Sequence, residues 1–188
     1  MAMGLVSMVF FIAVGVLLAY LLRHENLLPR FLLSGTGAAL GFGGAVACFV
    51  LAAAMYLLWP ALRAVTNATA VQVVRVSLAQ VGWAGLVFSV ILPSIGEEVL
   101  FRGALQPSIG LMPTALLFGL SHGGWSKTSW PYAVSAAVSG LILGLVYQQT
   151  GSLTASIIAH LLFNAAVSSC MAKSWWPFGG AGPVAVEK

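Results

Sequence analysis

A bundle of membrane-spanning helices is the fold class that this sequence predicts, and three observations carry it. The 188 residues are 60% hydrophobic and only 6% charged, with a mean hydropathy of +1.01, too few polar groups to cover a water-soluble domain of this size. Several apolar runs reach the roughly 18 residues that cross a hydrocarbon core about 30 Å thick as a helix. The runs are continuously apolar where barrel strands would alternate, and in lipid a helix satisfies its own backbone hydrogen bonds. The expectation is an all-α polytopic integral membrane protein: six or seven hydrophobic segments in one domain over residues 1–172, its functional core at about 94–170, and a disordered tail over 173–188.

Met3 to Leu22 is the first segment. No Lys or Arg precedes Arg23 and the run is long for a signal-peptide core, so it reads as a retained helix. After the loop "RHENLLPR" comes Thr36 to Trp59, whose "GTGAALGFGG" lacks the strand and acidic partner of a nucleotide loop and reads as small residues that let membrane helices approach. Val76 to Ile95 follows, then two shorter runs, Glu98 to Ile109 and Leu111 to Ser121, broken by Pro107 and Pro113. Tyr132 to Tyr147 contains the G-x-x-x-G of Gly140 and Gly144, a second small-residue contact. Leu153 to Ala172 is the last segment, and the Gly- and Pro-rich stretch beyond Lys173 reads as tail. Five tryptophans (Trp59, Trp125, Trp130, Trp175, Trp176) fall at segment ends, as an interfacial belt would place them, with Trp83 the exception.

The net charge of +4 reads as basicity at the membrane flanks, and nucleic acid is not an expected partner. Two arginines sit in each of the junctions 23–30 and 63–75, so the positive-inside count leaves the orientation open. Cys48 and Cys170 stand alone in apolar runs and read as buried thiols.

Ionisable groups inside a membrane cost about 2.5–3.5 kcal/mol each on insertion scales and need a reason to be there. The chain has four carboxylates and no aspartate, yet "SIGEEVLFRG" sets Glu97 and Glu98 side by side with Arg102 behind them. A structural reading covers all three charges: Ser94-x-x-Glu97 as a capping box, and Glu98 with Arg102 as an i,i+4 ion pair. The histidines favour function. His122 lies four residues after Phe118 at a helix end marked by Gly123 and Gly124, and His160 and Asn164 share one face of the last segment. Carboxylates, imidazoles and an amide from three segments suit hydrolysis. A desolvated carboxylate moves toward the range useful to a general base, so Glu97 aided by His122 can activate water. His160 and Asn164 can donate to the oxyanion formed as water attacks a carbonyl, and Arg102 on Glu98 supports the helix. The two glutamates point about 100° apart, and the residues alone leave open which is the base.

Glu97-Glu98-x-x-x-Arg102, Phe118-x-x-x-His122 and His160-x-x-x-Asn164, in this order and each on a hydrophobic segment, resemble the CAAX-protease and bacteriocin-processing family of intramembrane endopeptidases, which includes the Ras-converting CAAX endopeptidase. The resemblance covers roughly Ile95 to Asn164, with "GLILGLVYQQTGSL" also similar. It implies a glutamate-dependent intramembrane peptidase without a cofactor. Glu97 and His122 would activate water, His160 and Asn164 would form the oxyanion site, and Glu98 and Arg102 would support them. The implied substrate is a membrane-associated peptide or protein, with or without a lipid group. Small size without soluble extensions points to the plasma membrane of a prokaryote.

Two alternatives stand beside this reading. A zinc metallopeptidase would draw on Glu97, His122 and His160, although no H-E-x-x-H is present. A non-catalytic peptide-binding or immunity protein would use the same cavity without cleavage. A rhomboid-like serine peptidase would need Ser139 and His160 as nucleophile and base, but the glycines such a match requires are Ala137 and Phe163 here. An aspartyl intramembrane protease is excluded by the absence of aspartate.

Overall fold

The structure, a computed structural model, describes residues 2–124 and 126–178. Every regular element among them is helical. Five stretches are long and apolar enough to cross a membrane: Gly4–Arg23, Gly35–Leu58, Pro60–Ile109, Trp130–Thr150 and Leu153–Lys173. The helices are α1 (Ala2–Arg23), α2 (Gly35–Leu58), α3 (Pro60–Thr69), α4 (Val76–Leu86), α5 (Pro93–Glu98), α6 (Gln106–Ile109), α7 (Leu111–Gly119), α8 (Trp130–Thr150) and α9 (Leu153–Lys173). Between α3 and α4, α4 and α5, and α5 and α6 the hydrogen-bond register widens to the π form without leaving the helix. Local chemistry sets several boundaries. Ser34 Oγ caps α2 through Gly37 N at 3.0 Å, Ser152 Oγ caps α9 through Ala155 N at 3.3 Å, and Gly151 closes α8 in the left-handed region.

The bundle has two ends. At the first, the loop after α1 meets the α8–α9 turn: Ser152 Oγ donates to Leu32 O at 2.6 Å and Thr154 Oγ1 to Phe31 O at 2.7 Å. Glu25 there pairs with Arg30 at 2.8 Å and Arg23 at 2.6 Å, and its side-chain hydrogen bond raises the Arg30 pKa above the usual guanidinium value. At the second end Trp59 packs on Trp130 with ring centroids 5.1 Å apart, and Arg75 donates to Met171 O and Ser174 Oγ.

Pro60–Ile109 spans about 75 Å as helix, far more than one crossing. It breaks at Gly82, whose φ of 67° and ψ of −164° only glycine adopts without strain. Pro60 and Trp83 both lie at the second end, with Lys173 Nζ 5.8 Å from the Trp83 ring centroid. Residues 60–82 therefore run along that end, and 83–109 cross to the first. Trp83, the exception to the belt in the sequence, joins it because the chain turns there.

Small residues bring the backbones together as expected. A methyl group on Gly41 would lie 2.7 Å from Ala155 O of α9, and one on Gly44 2.6 Å from Val146 Cγ2 of α8. On the site helix, a methyl on Gly96 would lie 2.5 Å from Met8 O, and opposite it one on Gly15 would lie 2.9 Å from the Leu100 backbone. α1 thus holds the segment that carries Glu97 and Glu98.

The tail reading needs narrowing. Phe178, expected to be disordered, is 3% exposed and packs edge-on against Tyr56 and Phe49 at 5.0 and 5.7 Å. An aromatic ring beside an open aromatic cluster gains more from burial than a short Pro-bearing linker loses in entropy. Residues 179–188 of that tail, and Trp125 of the belt, lie outside the described residues.

Candidate active site

Pro93 opens α5 just after the π turn of Val87–Ile91. The capping box expected of Ser94 and Glu97 does not form: α5 has no side-chain cap, and Ser94 Oγ instead accepts from Asn164 Nδ2 at 2.8 Å. Continuous helix on both sides leaves no free helix start to cap.

Glu98, Arg102 and Gln106 follow at four-residue spacing, all buried. Arg102 Nη1 donates to Glu98 Oε1 at 2.9 Å, the ion pair the spacing predicts. Arg102 Nη2 donates to Gly140 O at 2.8 Å, and Gln106 Nε2 to Gly144 O at 2.9 Å. The G-x-x-x-G of α8 therefore does more than permit close approach. Glycines leave these carbonyls bare, so each takes a second donor from the neighbouring helix. Phe118 of α7 closes the arrangement, with its ring centroid 4.7 Å from the Arg102 guanidinium carbon and 5.0 Å from Phe101.

Glu97, His122, His160 and Asn164 line one cavity of about 240 Å³, together with Phe118 and Tyr132. The two glutamates diverge as the helix geometry requires: Glu97 faces the cavity, while Glu98 is fully buried behind it. His122 Nε2 lies 3.8 Å and His160 Nε2 3.9 Å from the same Glu97 oxygen, Oε2. The far nitrogens are both held. His122 Nδ1 is 2.8 Å from Phe118 O, and His160 Nδ1 is 2.8 Å from Glu98 Oε1. A carbonyl can only accept, and Glu98 Oε1 already accepts from Arg102, so each Nδ1 carries its hydrogen. A neutral imidazole at either place then offers the Nε2 lone pair toward Glu97.

All six residues singled out from the sequence thus meet at one place, four on the cavity wall and two directly behind. No spacing along the chain marks Tyr132, whose ring centroid is 6.3 Å from that of His122. Ser94 carried a misleading signal, because its spacing to Glu97 suited a cap better than a distant amide. His160 lines the cavity with Asn164, as their spacing implies, and its closest polar contact is Glu98. Among the described residues no three His, Cys, Asp or Glu side chains are grouped to hold a metal ion, the set Glu97, His122 and His160 included.

The helices and this cavity define a polytopic integral membrane protein with a carboxylate–imidazole site between its spans. Residues 79–166, which contain all three motifs, match the family model described as Type II CAAX prenyl endopeptidase Rce1-like. Over this stretch the chain is similar to that family, the one the three motifs resemble. "Uncharacterized protein YpbD" of Bacillus subtilis (strain 168) is 34% identical over 80 residues, 43% of this chain and 42% of the relative, so the match spans less than half of that protein's length. No solved structure matches.

Proposed function

We propose that the protein is an intramembrane endopeptidase that hydrolyses a peptide bond of a membrane-associated protein or peptide, with Glu97 as general base and no resident metal. The observation that carries this reading is the convergence of Glu97 Oε2, His122 Nε2 and His160 Nε2, from three separate helices, on one gap wide enough for a water molecule. Water placed there gives one proton to Glu97, oriented by His122, and its oxygen attacks the carbonyl carbon. The oxyanion accepts from Asn164 Nδ2, whose other hydrogen is held by Ser94, and from His160 Nε2 when that ring is protonated. Glu98, across Nδ1, supports the positive ring. Glu97 then returns its proton to the leaving amide nitrogen.

The family match favours a substrate with a CAAX-type terminus, with the prenyl group a variable to be tested. A panel of fluorogenic peptides, with and without prenyl groups, should be cleaved by the detergent-purified protein in chelator-containing buffer. Cleavage that vanishes with chelator and returns with zinc would replace this mechanism with the metallopeptidase one. Peptide binding without turnover would leave the immunity or binding-protein reading.

The fold also favours one orientation. Arg63 on Tyr56 O, Arg75 on Met171 O and Lys173 by Trp83 lie at the second end, with Lys127 three residues before Trp130 of the same end, against Arg23 and Arg30 at the first, so the positive-inside rule makes the second end cytoplasmic in a prokaryotic plasma membrane. A cysteine replacing Lys127 should react with an impermeant maleimide in inside-out vesicles and not in right-side-out ones; the opposite pattern would invert the assignment.

A further inference from the structure

Two serines in the cavity have no part in the chemistry above. Ser139 of α8 and Ser168 of α9 are 6% and 3% exposed, and both line the cavity. Neither hydroxyl has a hydrogen-bond partner among the described residues. Several hydroxyls on the helices of this protein turn back on their own backbone: Thr69 Oγ1 to Val65 O at 3.0 Å, Ser108 Oγ to Ala104 O at 2.8 Å, Thr150 Oγ1 to Val146 O at 2.8 Å. Ser139 and Ser168 forgo that bond and face the cavity instead, where an unpaired polar group in a membrane interior is costly.

Their positions extend the site in a line. On α9, His160, Asn164 and Ser168 are spaced four apart and all line the cavity, a polar stripe about 12 Å long. On α8, Ser135 and Ser139 repeat the spacing on the same cavity. Both stripes rise from Glu97 toward the end that bears Lys173, and Val73, Phe163 and Val167 supply apolar wall between them. About 12 Å is the length of three to four residues of extended chain.

An extended polypeptide drawn into a membrane leaves its N–H and C=O groups bare, and they need partners there. We infer that Ser139 and Ser168 are a binding subsite for the backbone of an extended polypeptide, Ser139 bonding a peptide group beside the bond to be cut and Ser168 one a few residues further toward the end that bears Lys173. A hydroxyl both donates and accepts, so it serves any sequence whose side chains fit the apolar wall. A lipid chain would leave both hydroxyls unpaired. The subsite rests on the peptidase reading for its occupant, but its affinity can be read without turnover.

The test uses the full-length Glu97→Gln protein in lipid nanodiscs and a short fluorescein-labelled Ala-Leu peptide, beside peptides in which one backbone amide at a time is replaced by an ester. Adding Ser139→Ala and Ser168→Ala should weaken binding of the all-amide peptide by about tenfold to thirtyfold, with unchanged helical content. At one or two positions the ester should weaken binding to the Glu97→Gln protein and make no further difference in the triple variant. Unchanged affinity in the triple variant, ester losses equal in both proteins, or no binding by the Glu97→Gln protein would each overturn the subsite. Wild-type cleavage of the same peptide separates the two readings. Turnover with serine-independent affinity removes the subsite alone, and serine-dependent binding without turnover removes the peptidase reading alone.

Discussion

Glu97→Gln should lower peptide cleavage by about 10²–10⁴-fold, the range for loss of a general base, while fold and peptide binding persist. The amide keeps the size of the carboxylate and still reaches both imidazoles, but it cannot take a proton from water. Glu97 faces the cavity outside the buried Glu98–Arg102 pair, so neutralising it leaves no charge without its partner. Turnover rates and anisotropy binding on the same purified samples check both halves. A cleavage rate equal to wild type would remove Glu97 as the base. Lost binding together with lost cleavage would assign Glu97 to substrate docking and overturn the serine subsite with it.

Arg102→Ala should destabilise the protein by about 3–5 kcal/mol, because it strands the fully buried Glu98 carboxylate. It also removes the donor to Gly140 O and the cation above Phe118. The paired replacement Glu98→Gln with Arg102→Met should recover most of that stability, since no buried charge remains. It should not recover activity: a neutral amide beside His160 Nδ1 no longer supports a protonated ring facing the oxyanion. Unfolding in detergent and turnover, measured on both variants, separate the contributions. A double variant that is stable and also fully active would mean that Glu98 serves only to balance Arg102.

Some of this architecture was legible along the chain and some was not. The Glu98–Arg102 pair was, because i,i+4 spacing on a helix is a local relation. So was the close approach at Gly41 and Gly44. Tyr132 and Ser94 were not, since their partners lie on other helices: Ser94 and Asn164 are 70 residues apart. The Gly140 and Gly144 carbonyls had no signal as acceptors, because every backbone carbonyl looks alike in a sequence and only a neighbouring donor distinguishes one. Trp83 read as an exception until Gly82 turned the chain beneath it.

By itself the sequence determined the solvent and which side chains must gather: its apolar runs require lipid, and its few ionisable groups had to be brought together because isolated charges are too costly there. The tertiary structure decided direction and pairing. It set Glu97 toward the cavity and Glu98 behind it, and gave His160 to Glu98. It also brought Lys127 and Lys173 to the end that holds Arg63 and Arg75, an asymmetry of charge that no count along the chain could supply. Hydropathy and helical spacing are properties of neighbours in sequence, whereas an orientation, a shared proton site and a second donor on a carbonyl are properties of neighbours in space.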